Sequence, residues 1–420
     1  MKNAAIATLF ALVCASSVSA QLEEDRVPRE RTVPVREQVK QDLEGTPRRL
    51  GPVRVFPEFR LGNIGYNSNV GGTEEDPIGD YTASVSAGAR YLVPFGRKVF
   101  VRGELMPSYT YYRELEDRRT TGGNYSASLL GLFNEMQVEL SAHRSDIVRS
   151  VSTETEMPAR TVQDGFTAGL EIDVLPRISL FGGFVQREYG YELDGSPDVE
   201  PTPLDALERT DDALRAGLRY HVTSFFNVAA GVEHTNSEFA RGDSLRDHET
   251  NAVILSLYYD RPRMFANASV GHRKGEASAA GSLYPSYSDV TGSYYVSYRL
   301  GAPIEAEVFG TRAVVNSLFV DNAFFLETRN GVGLVWHAGE RFSFRNSVEM
   351  GSNEYPREVV FGNYERLKRA DDVMTYGAGV SFRIWRDVGL AINASRSEYE
   401  SNIPGFDRSV LRVGAGVTIH

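Results

Sequence analysis

The sequence predicts an all-β protein, namely a transmembrane antiparallel up-and-down β-barrel of about 18 strands. Three observations support this fold class: short runs of alternating apolar and polar residues, connections that alternate between short and long, and the lack of a convincing amphipathic helix. The runs recur from Arg54 to the end of the sequence, as in Val99–Met106 and Leu411–Ile419. Successive side chains of a strand point to opposite faces, so each run has one apolar and one polar face, as in membrane barrels.

Residues 1–20 have the pattern of a secretory signal peptide. Lys2 supplies a positive start, Ala4–Val13 an apolar stretch, and Val18–Ala20 a small-residue cleavage site. Cys14 is the one cysteine of the sequence and would be removed with this peptide. A lipoprotein attachment at Cys14 is the alternative, which the bulky residue before it disfavours. Without Cys14 the mature chain offers no thiol for disulfides, metal sites or catalysis.

Residues 21–53 differ from the rest in composition. They are rich in charge and proline, with few apolar residues, as in Glu23–Asp25 and around Pro28 and Pro47. Such a segment cannot bury a core, so we expect a disordered or loosely attached periplasmic leader with a short helix over 35–43. It is too small to form the globular plug of a siderophore-type transporter. Residues 54–420 are assigned to the barrel.

Each predicted barrel strand is long enough for the roughly 9–11 residues that a tilted strand needs to cross a bilayer. The predicted strands are 54–68, 81–93, 98–112, 124–134, 136–145, 161–175, 178–191, 211–223, 226–239, 249–260, 264–275, 287–300, 303–317, 324–338, 341–355, 371–385, 387–400 and 408–419. An even number is expected of a bacterial single-chain barrel, and it places both chain ends in the periplasm.

The predicted connections alternate in length, as expected for short periplasmic turns and longer extracellular loops. The short ones are 94–97, 176–177, 260–263, 301–302, 339–340 and 386. The long ones include 69–80, 113–123, 146–160, 192–210, 276–286 and 356–370. Of these, 192–210 and 356–370 are candidates for a gate.

Aromatic residues gather near the ends of the predicted strands. Amphipathic rings suit the headgroup region, which predicts girdles at the two membrane surfaces. The residues concerned are Tyr109, Tyr111, Tyr112, Tyr189, Tyr191, Tyr258, Tyr259, Trp336 and Trp385.

The secretion signal, the lack of an 18-residue apolar stretch and the barrel pattern indicate the outer membrane of a Gram-negative bacterium. The formal net charge is −11, or −12 once Lys2 is removed, which gives no support to nucleic-acid binding. The expected partners are outer-membrane lipid and lipopolysaccharide.

If the apolar faces contact lipid, the charged faces line the bore. An arginine facing lipid at mid-depth costs about 2–4 kcal/mol, so an inward position is favoured. A barrel of 18 strands is wide enough to hold water. The lumen-lining candidates are Arg60, Arg90, Arg102, Glu104, Arg187, Arg219, Arg299, Glu305, Arg329, Arg345, Arg383 and Arg412.

The arginines of this set allow two interpretations. Rows of arginine favour anions and offer planar donors to sugar hydroxyls or uronate carboxylates. Alternatively, they pair with glutamates across neighbouring strands and stiffen the wall.

No catalytic or metal-binding pattern is found in the sequence. The histidines are scattered singly, without an H-x-x-x-H or H-E-x-x-H spacing, and there is no G-x-S-x-G element. Asp247 and His248 are adjacent, but no nucleophile accompanies them. We therefore expect a protein that is not an enzyme and that uses neither a cofactor nor a metal.

The start of the predicted barrel resembles an outer-membrane β-barrel porin family that accompanies exopolysaccharide and capsule biosynthesis clusters. The resemblance is carried by the segment Arg54–Phe59 followed by Gly65–Val70, with its Tyr-x-x-Asn-Val element. The final His420 departs from the aromatic end usual in such barrels. The resemblance implies an outer-membrane pore that takes part in polysaccharide secretion, and no catalytic residue is carried over.

The main functional hypothesis is therefore a channel that exports an exopolysaccharide or capsular polysaccharide through an arginine-bearing lumen. Periplasmic polysaccharide-export proteins could then bind residues 21–53. The alternatives are a general or anion-selective diffusion porin for small solutes and a non-conducting barrel that holds surface polysaccharide.

Overall fold

The structure, a computed structural model, describes residues 35–45, 48–70, 76–154, 158–192, 203–240, 245–278, 284–319, 322–361, 365–385 and 387–419. The predicted signal peptide, residues 21–34 of the predicted leader and His420 lie outside the described residues.

One helix and nineteen strands are found in the described residues. They are α1 (Val35–Glu44), β1 (Arg48–Leu50), β2 (Val53–Asn67), β3 (Asp80–Phe95), β4 (Val99–Tyr112), β5 (Thr120–Leu132), β6 (Met136–Ser150), β7 (Pro158–Leu175), β8 (Ile178–Glu192), β9 (Arg209–Thr223), β10 (Phe226–Phe239), β11 (His248–Arg261), β12 (Met264–Ala277), β13 (Tyr287–Arg299), β14 (Ile304–Asn316), β15 (Phe324–Ala338), β16 (Phe342–Phe361), β17 (Glu365–Trp385), β18 (Val388–Ser401) and β19 (Arg408–Ile419). Two short 3₁₀ turns cover Glu116–Arg118 and Pro203–Leu207.

Strands β2–β19 form a closed antiparallel barrel of 18 strands, as predicted. Each strand pairs with the next along the chain, and β19 pairs with β2 through Val413 opposite Tyr66 and Ile419 opposite Phe59. Near this seam β2 contains a bulge between Gly62 and Gly65. Closure leaves no sheet edge in the membrane, where unpaired backbone groups would be costly.

The outer surface of the barrel is apolar. In β9, Leu214 and Leu218 are 59% and 41% exposed, and in β11 Val253 and Leu255 are 64% and 51% exposed. The intervening side chains point the other way, as shown by Arg215, whose Nε lies 2.6 Å from a carboxylate of β10. This alternation suits acyl chains outside and polar groups inside. Among the described residues, no helix is long and apolar enough to cross a bilayer.

The two ends of the barrel differ in their connections. We call the end where connections have two to four residues, such as 176–177 and 300–303, the short-turn end. The opposite end, with connections such as 151–157, 193–208 and 317–323, is the long-loop end. The alternation predicted from the sequence is thus present.

The predicted long connection 356–370 is wrong. Strand β16 continues to Phe361 and β17 begins at Glu365, so most of this segment belongs to a strand hairpin. Within this hairpin Glu358 stands opposite Lys368 in the ladder. Opposite charges at facing positions favour strand pairing. That this segment acts as a gate stays a prediction.

The predicted leader is also corrected in part. The short helix expected over 35–43 is present as α1, but it is attached to the barrel and not loose. Its apolar stripe of Val35, Val39 and Leu43 packs on inward-facing side chains near the short-turn end, namely Phe56, Leu92, Phe100, Leu130 and Leu132. Strand β1 then pairs with β2, with Arg49 opposite Arg54. Burial of the stripe explains why α1 is held in place although it is rich in charged residues.

The girdle prediction holds for some aromatic residues and is wrong for others. Trp336 and Trp385 are 49% and 71% exposed on the outer surface, and Tyr109 and Tyr111 are exposed there too. By contrast, Tyr112 and Tyr258 are on the inward face, and Tyr258 packs with Phe265 of β12. Tyr189 and Tyr191 also point inward, where they line a cavity. Position near a strand end does not fix the face of a side chain, whereas its odd or even place in the strand does.

Candidate functional site

Most of the lumen-lining candidates lie on the inward face in ion pairs with carboxylates. Arg219 Nη1 is 2.6 Å from Glu171 Oε1, Arg345 Nη2 is 2.7 Å from Glu307 Oε2, and Arg299 Nε is 3.3 Å from Glu305 Oε2. Further pairs join Arg60 and Arg90 to Glu58, and Arg329 to Glu327 and Glu349. These residues therefore follow the second interpretation given above, in which the arginines pair with glutamates of neighbouring strands along the barrel wall.

The other candidates have different surroundings. Glu104 lies among Arg60, Arg90 and Arg102, and Arg102 contacts Gln38 and Asp42 of α1. For the remaining three, the strand register gives the facing residue on the adjacent strand. Arg187 lies opposite Asp211, Arg383 opposite Gly389 and Arg412 opposite Asn67. That the twelve residues line a water path stays a prediction.

Inward carboxylates that are buried have more than one partner. Glu233 is shared by Arg215 at 2.6 Å and Arg273 at 2.9 Å. Glu307 accepts from Tyr295 at 2.9 Å as well as from Arg345. A buried ion without partners is costly, so these networks stabilise the charged forms of Glu233 and Glu307.

A loop of the long-loop end crosses the bore. We call residues 151–154, between β6 and β7, the crossing loop. Thr153 Oγ1 donates to Glu327 Oε1 of β15 at 2.9 Å, and Arg408 of β19 donates to the Thr153 carbonyl. In the ring of 18 strands, β6 and β15 are nine places apart, on opposite walls. These contacts therefore pass through the interior.

Glu154 ends the crossing loop and is buried, with 2% of its surface exposed. Its Oε1 accepts from Ser317 Oγ at 2.6 Å and its Oε2 from the Leu318 N–H at 2.7 Å. Burial raises the pKa of the Glu154 carboxyl above its ordinary value, and the hydrogen bonds from Ser317 and Leu318 act in the opposite direction. The crossing loop is thus attached through an ionisable group.

Two arginines connect the surrounding loops. The buried Arg246 donates to the carbonyls of Ser317 at 2.7 Å, Phe319 at 2.7 Å and Ala206 at 3.2 Å. The guanidinium group therefore joins the loop of Arg246 to two others, the loop of Ala206 and the loop of Ser317 and Phe319.

The second arginine is Arg369 of β17, which forms a bidentate ion pair with Asp371. Its Nε donates to Oδ1 at 2.9 Å and its Nη2 to Oδ2 at 2.7 Å. Its guanidinium lies 3.9 Å from the ring centre of Phe406 and 5.0 Å from that of Phe319. Planar guanidinium groups stack well on aromatic rings, so Arg369 joins the loop of Phe406 to the loop of Phe319, which Arg246 also contacts. The long-loop mouth is therefore spanned by mutually bonded segments.

Below the crossing loop lies a cavity of about 270 Å³. It is bounded on one side by β6, β8 and β9 and on the other by β14 and β15. Its lining includes Arg149, Tyr189, Tyr191, Arg209 and Glu327. Guanidinium, phenol and carboxylate groups around one space can bind a polar solute. Walls that are distant in the ring bound the same cavity, so side chains from opposite sides of the barrel approach one another here.

The sequence did not reveal one cluster on β7, β8 and β9. Glu171, Asp173 and His221 have donor atoms within 4.8 Å of one another. Arg219 already binds both oxygens of Glu171, and Ser179 Oγ lies 2.6 Å from Asp173 Oδ1 and 2.8 Å from His221 Nε2. Because these groups have partners, we assign the cluster a structural role. Strand pairing brings the residues together, and their spacing in the sequence gives no such signal.

Comparisons with known proteins agree with this fold. No family model and no curated protein matches the sequence. A BenF-like porin from Pseudomonas fluorescens Pf-5 is 12% identical with a TM-score of 0.53, over 88% of this chain and 99% of that chain. The outer membrane protein OpdK from Pseudomonas aeruginosa is 11% identical with a TM-score of 0.52, over 87% and 98%. Pseudomonas aeruginosa OccK2 (OpdF), solved in complex with glucuronate, is 11% identical with a TM-score of 0.51, over 87% and 98%. The chain thus has the fold of outer-membrane porins.

Proposed function

We propose that this protein is an outer-membrane channel for the diffusion of small polar solutes. Its short-turn end faces the periplasm, as do both chain ends, and its outer surface contacts lipid. The observation that carries the proposal is the crossing loop, held across a closed barrel whose inward face is charged. A bore with ionised walls conducts small solutes, and a loop inside it limits their size.

The crossing loop favours small solutes over a polysaccharide. Its bonds to Ser317, Leu318 and Glu327 would all have to break before an extended polymer could pass. The resemblance to porins of polysaccharide clusters suggests export nonetheless, and deletion of the gene tests it. Loss of surface polysaccharide with unchanged uptake of small solutes would favour export. Reduced uptake with unchanged polysaccharide supports the diffusion channel.

We expect the ion preference of the channel to depend on the charge balance of the ion pairs in its wall. Arg219→Gln and Arg345→Gln together leave Glu171 and Glu307 without these cationic partners. The double variant should shift the ratio of anion to cation permeability several-fold toward cations, because the bore loses two positive charges. The reversal potential across a planar bilayer in a salt gradient measures this ratio.

The matched control is Arg144→Gln. Arg144 also pairs with a carboxylate, Asp164, at 3.0 Å, but both lie on the outward face with Leu140 and Phe166. This variant should keep the reversal potential of the unaltered protein. An equal reversal potential in all three proteins would contradict a charged conducting bore.

A further inference from the structure

A carboxylate of α1 lies against two arginines of the wall at the short-turn mouth. Asp42 Oδ1 is 3.6 Å from Arg90 Nη1, and Asp42 Oδ2 is 3.6 Å from Arg102 Nε. The side chains of Arg90 and Arg102 are partly exposed, at 34% and 27%. Distances of this length leave the ion pairs loose, and partial exposure leaves them open to exchange with a dissolved anion.

A cavity of about 160 Å³ lies beside this contact, between α1 and the wall. Its polar lining includes Gln38, Arg90, Arg102, Glu104, Ser128 and Glu139. The two arginines can bind a carboxylate, whereas the glutamates, the serine and the glutamine amide can accept hydrogen bonds from hydroxyl groups. The chemistry fits a small solute that carries both groups.

We propose that Arg90 and Arg102 form a binding site for the carboxylate of a hydroxylated small acid, and that Asp42 occupies this site in the resting protein. A bound solute displaces Asp42 and shifts α1 toward release from the short-turn mouth. The inference rests on the proposed function, because it assigns a solute class to the same bore. Asp42 and the solute carboxylate compete for the same guanidinium donors, so both cannot bind fully at once.

The apolar stripe of α1 gives a direct reporter of this release. Val39 is 2% exposed when α1 is docked, so a cysteine there is shielded from a large maleimide reagent. The labelling rate of Val39→Cys in the full mature protein then measures the undocked fraction. Val35→Cys on the same stripe is a second reporter, in case the first substitution itself disturbs docking. Glucuronate is the probe, and glucose is the neutral comparison.

Glucuronate should raise the labelling rate about fivefold, and glucose should leave it unchanged. Adding Asp42→Asn should raise the rate without solute by a similar factor and remove most of the glucuronate response. Glu37→Gln is the matched control, because Glu37 is 49% exposed beside Lys40 on the far side of the helix. It should change neither rate.

The outcomes separate this inference from the proposed function. If the protein conducts but glucuronate changes the labelling rate of neither reporter, the proposed binding site is overturned and the proposed channel is not. If glucuronate raises the labelling rate but the protein passes neither current nor solute, the proposed channel is overturned and the binding site is not. If the reporter cysteine is labelled at the same rate with and without the Asp42→Asn substitution, Asp42 does not hold α1. This outcome also overturns the inference.

Discussion

Replacing Glu154 by lysine is expected to raise the single-channel conductance several-fold. The carboxylate of Glu154 accepts two short hydrogen bonds from Ser317 and Leu318 in a buried position. A lysine there would bury an ammonium group that can accept neither bond and would lie near Arg246 and Arg369. A buried charge without a partner, as the lysine would be, costs about 3–5 kcal/mol, which is enough to displace a short loop. Planar-bilayer recordings measure the result.

The pKa of Glu154 adds a pH dependence with a defined sign. Burial raises this pKa in the docked loop, so docking is favoured while the carboxyl is protonated and weakens as the pH rises through the docked-state pKa. Conductance should therefore fall on acidification. Glu154→Gln keeps one acceptor for Leu318 and one donor toward Ser317, so it should stay in the low-conductance state at all pH values. A pH response that is the same in the glutamine variant would contradict this assignment.

Replacing Gly65 by valine is expected to abolish the folded barrel. Gly65 lies in β2 at the closing seam, opposite Gly414 of β19. A Cβ atom at this position would lie 1.8 Å from the Val413 carbonyl oxygen and 2.7 Å from the Gly414 Cα. Because these atoms belong to the backbone of the neighbouring strand, the seam must separate to admit the side chain. The loss of the heat-modifiable band of the folded barrel on a gel measures the effect.

Gly389→Val is the matched control for the seam. Gly389 lies in β18, pairs with Thr418 of the last strand, and has no atom within 4 Å of a Cβ built on it. The same substitution should therefore keep the folded band. If the Gly65→Val protein also keeps its folded band and resists protease as the control does, the seam is not packed as described.

The barrel itself could be predicted from local pattern. Alternation with period two decides which side chains of a strand share a face, and each residue depends only on its neighbours for this. For this reason the sequence predicts the number of strands and the outward face of most of them, including the exposed Leu214 and Leu218. The prediction of a long connection over 356–370 was wrong because charged residues occur both in loops and in strands that extend beyond the apolar band.

What fills the bore was decided by the tertiary structure. Glu154 and Ser317 are 163 positions apart, and Thr153 and Arg408 are 255 positions apart, yet each pair is joined by a hydrogen bond. The docking of Asp42 beside Arg90 and Arg102 likewise depends on strands that are remote from α1. Periodicity tells which face a side chain belongs to, but it carries no information on which distant group will meet that face. A closed ring brings opposite walls together, and only then do the pairs of arginine and carboxylate, the crossing loop and the α1 contact exist.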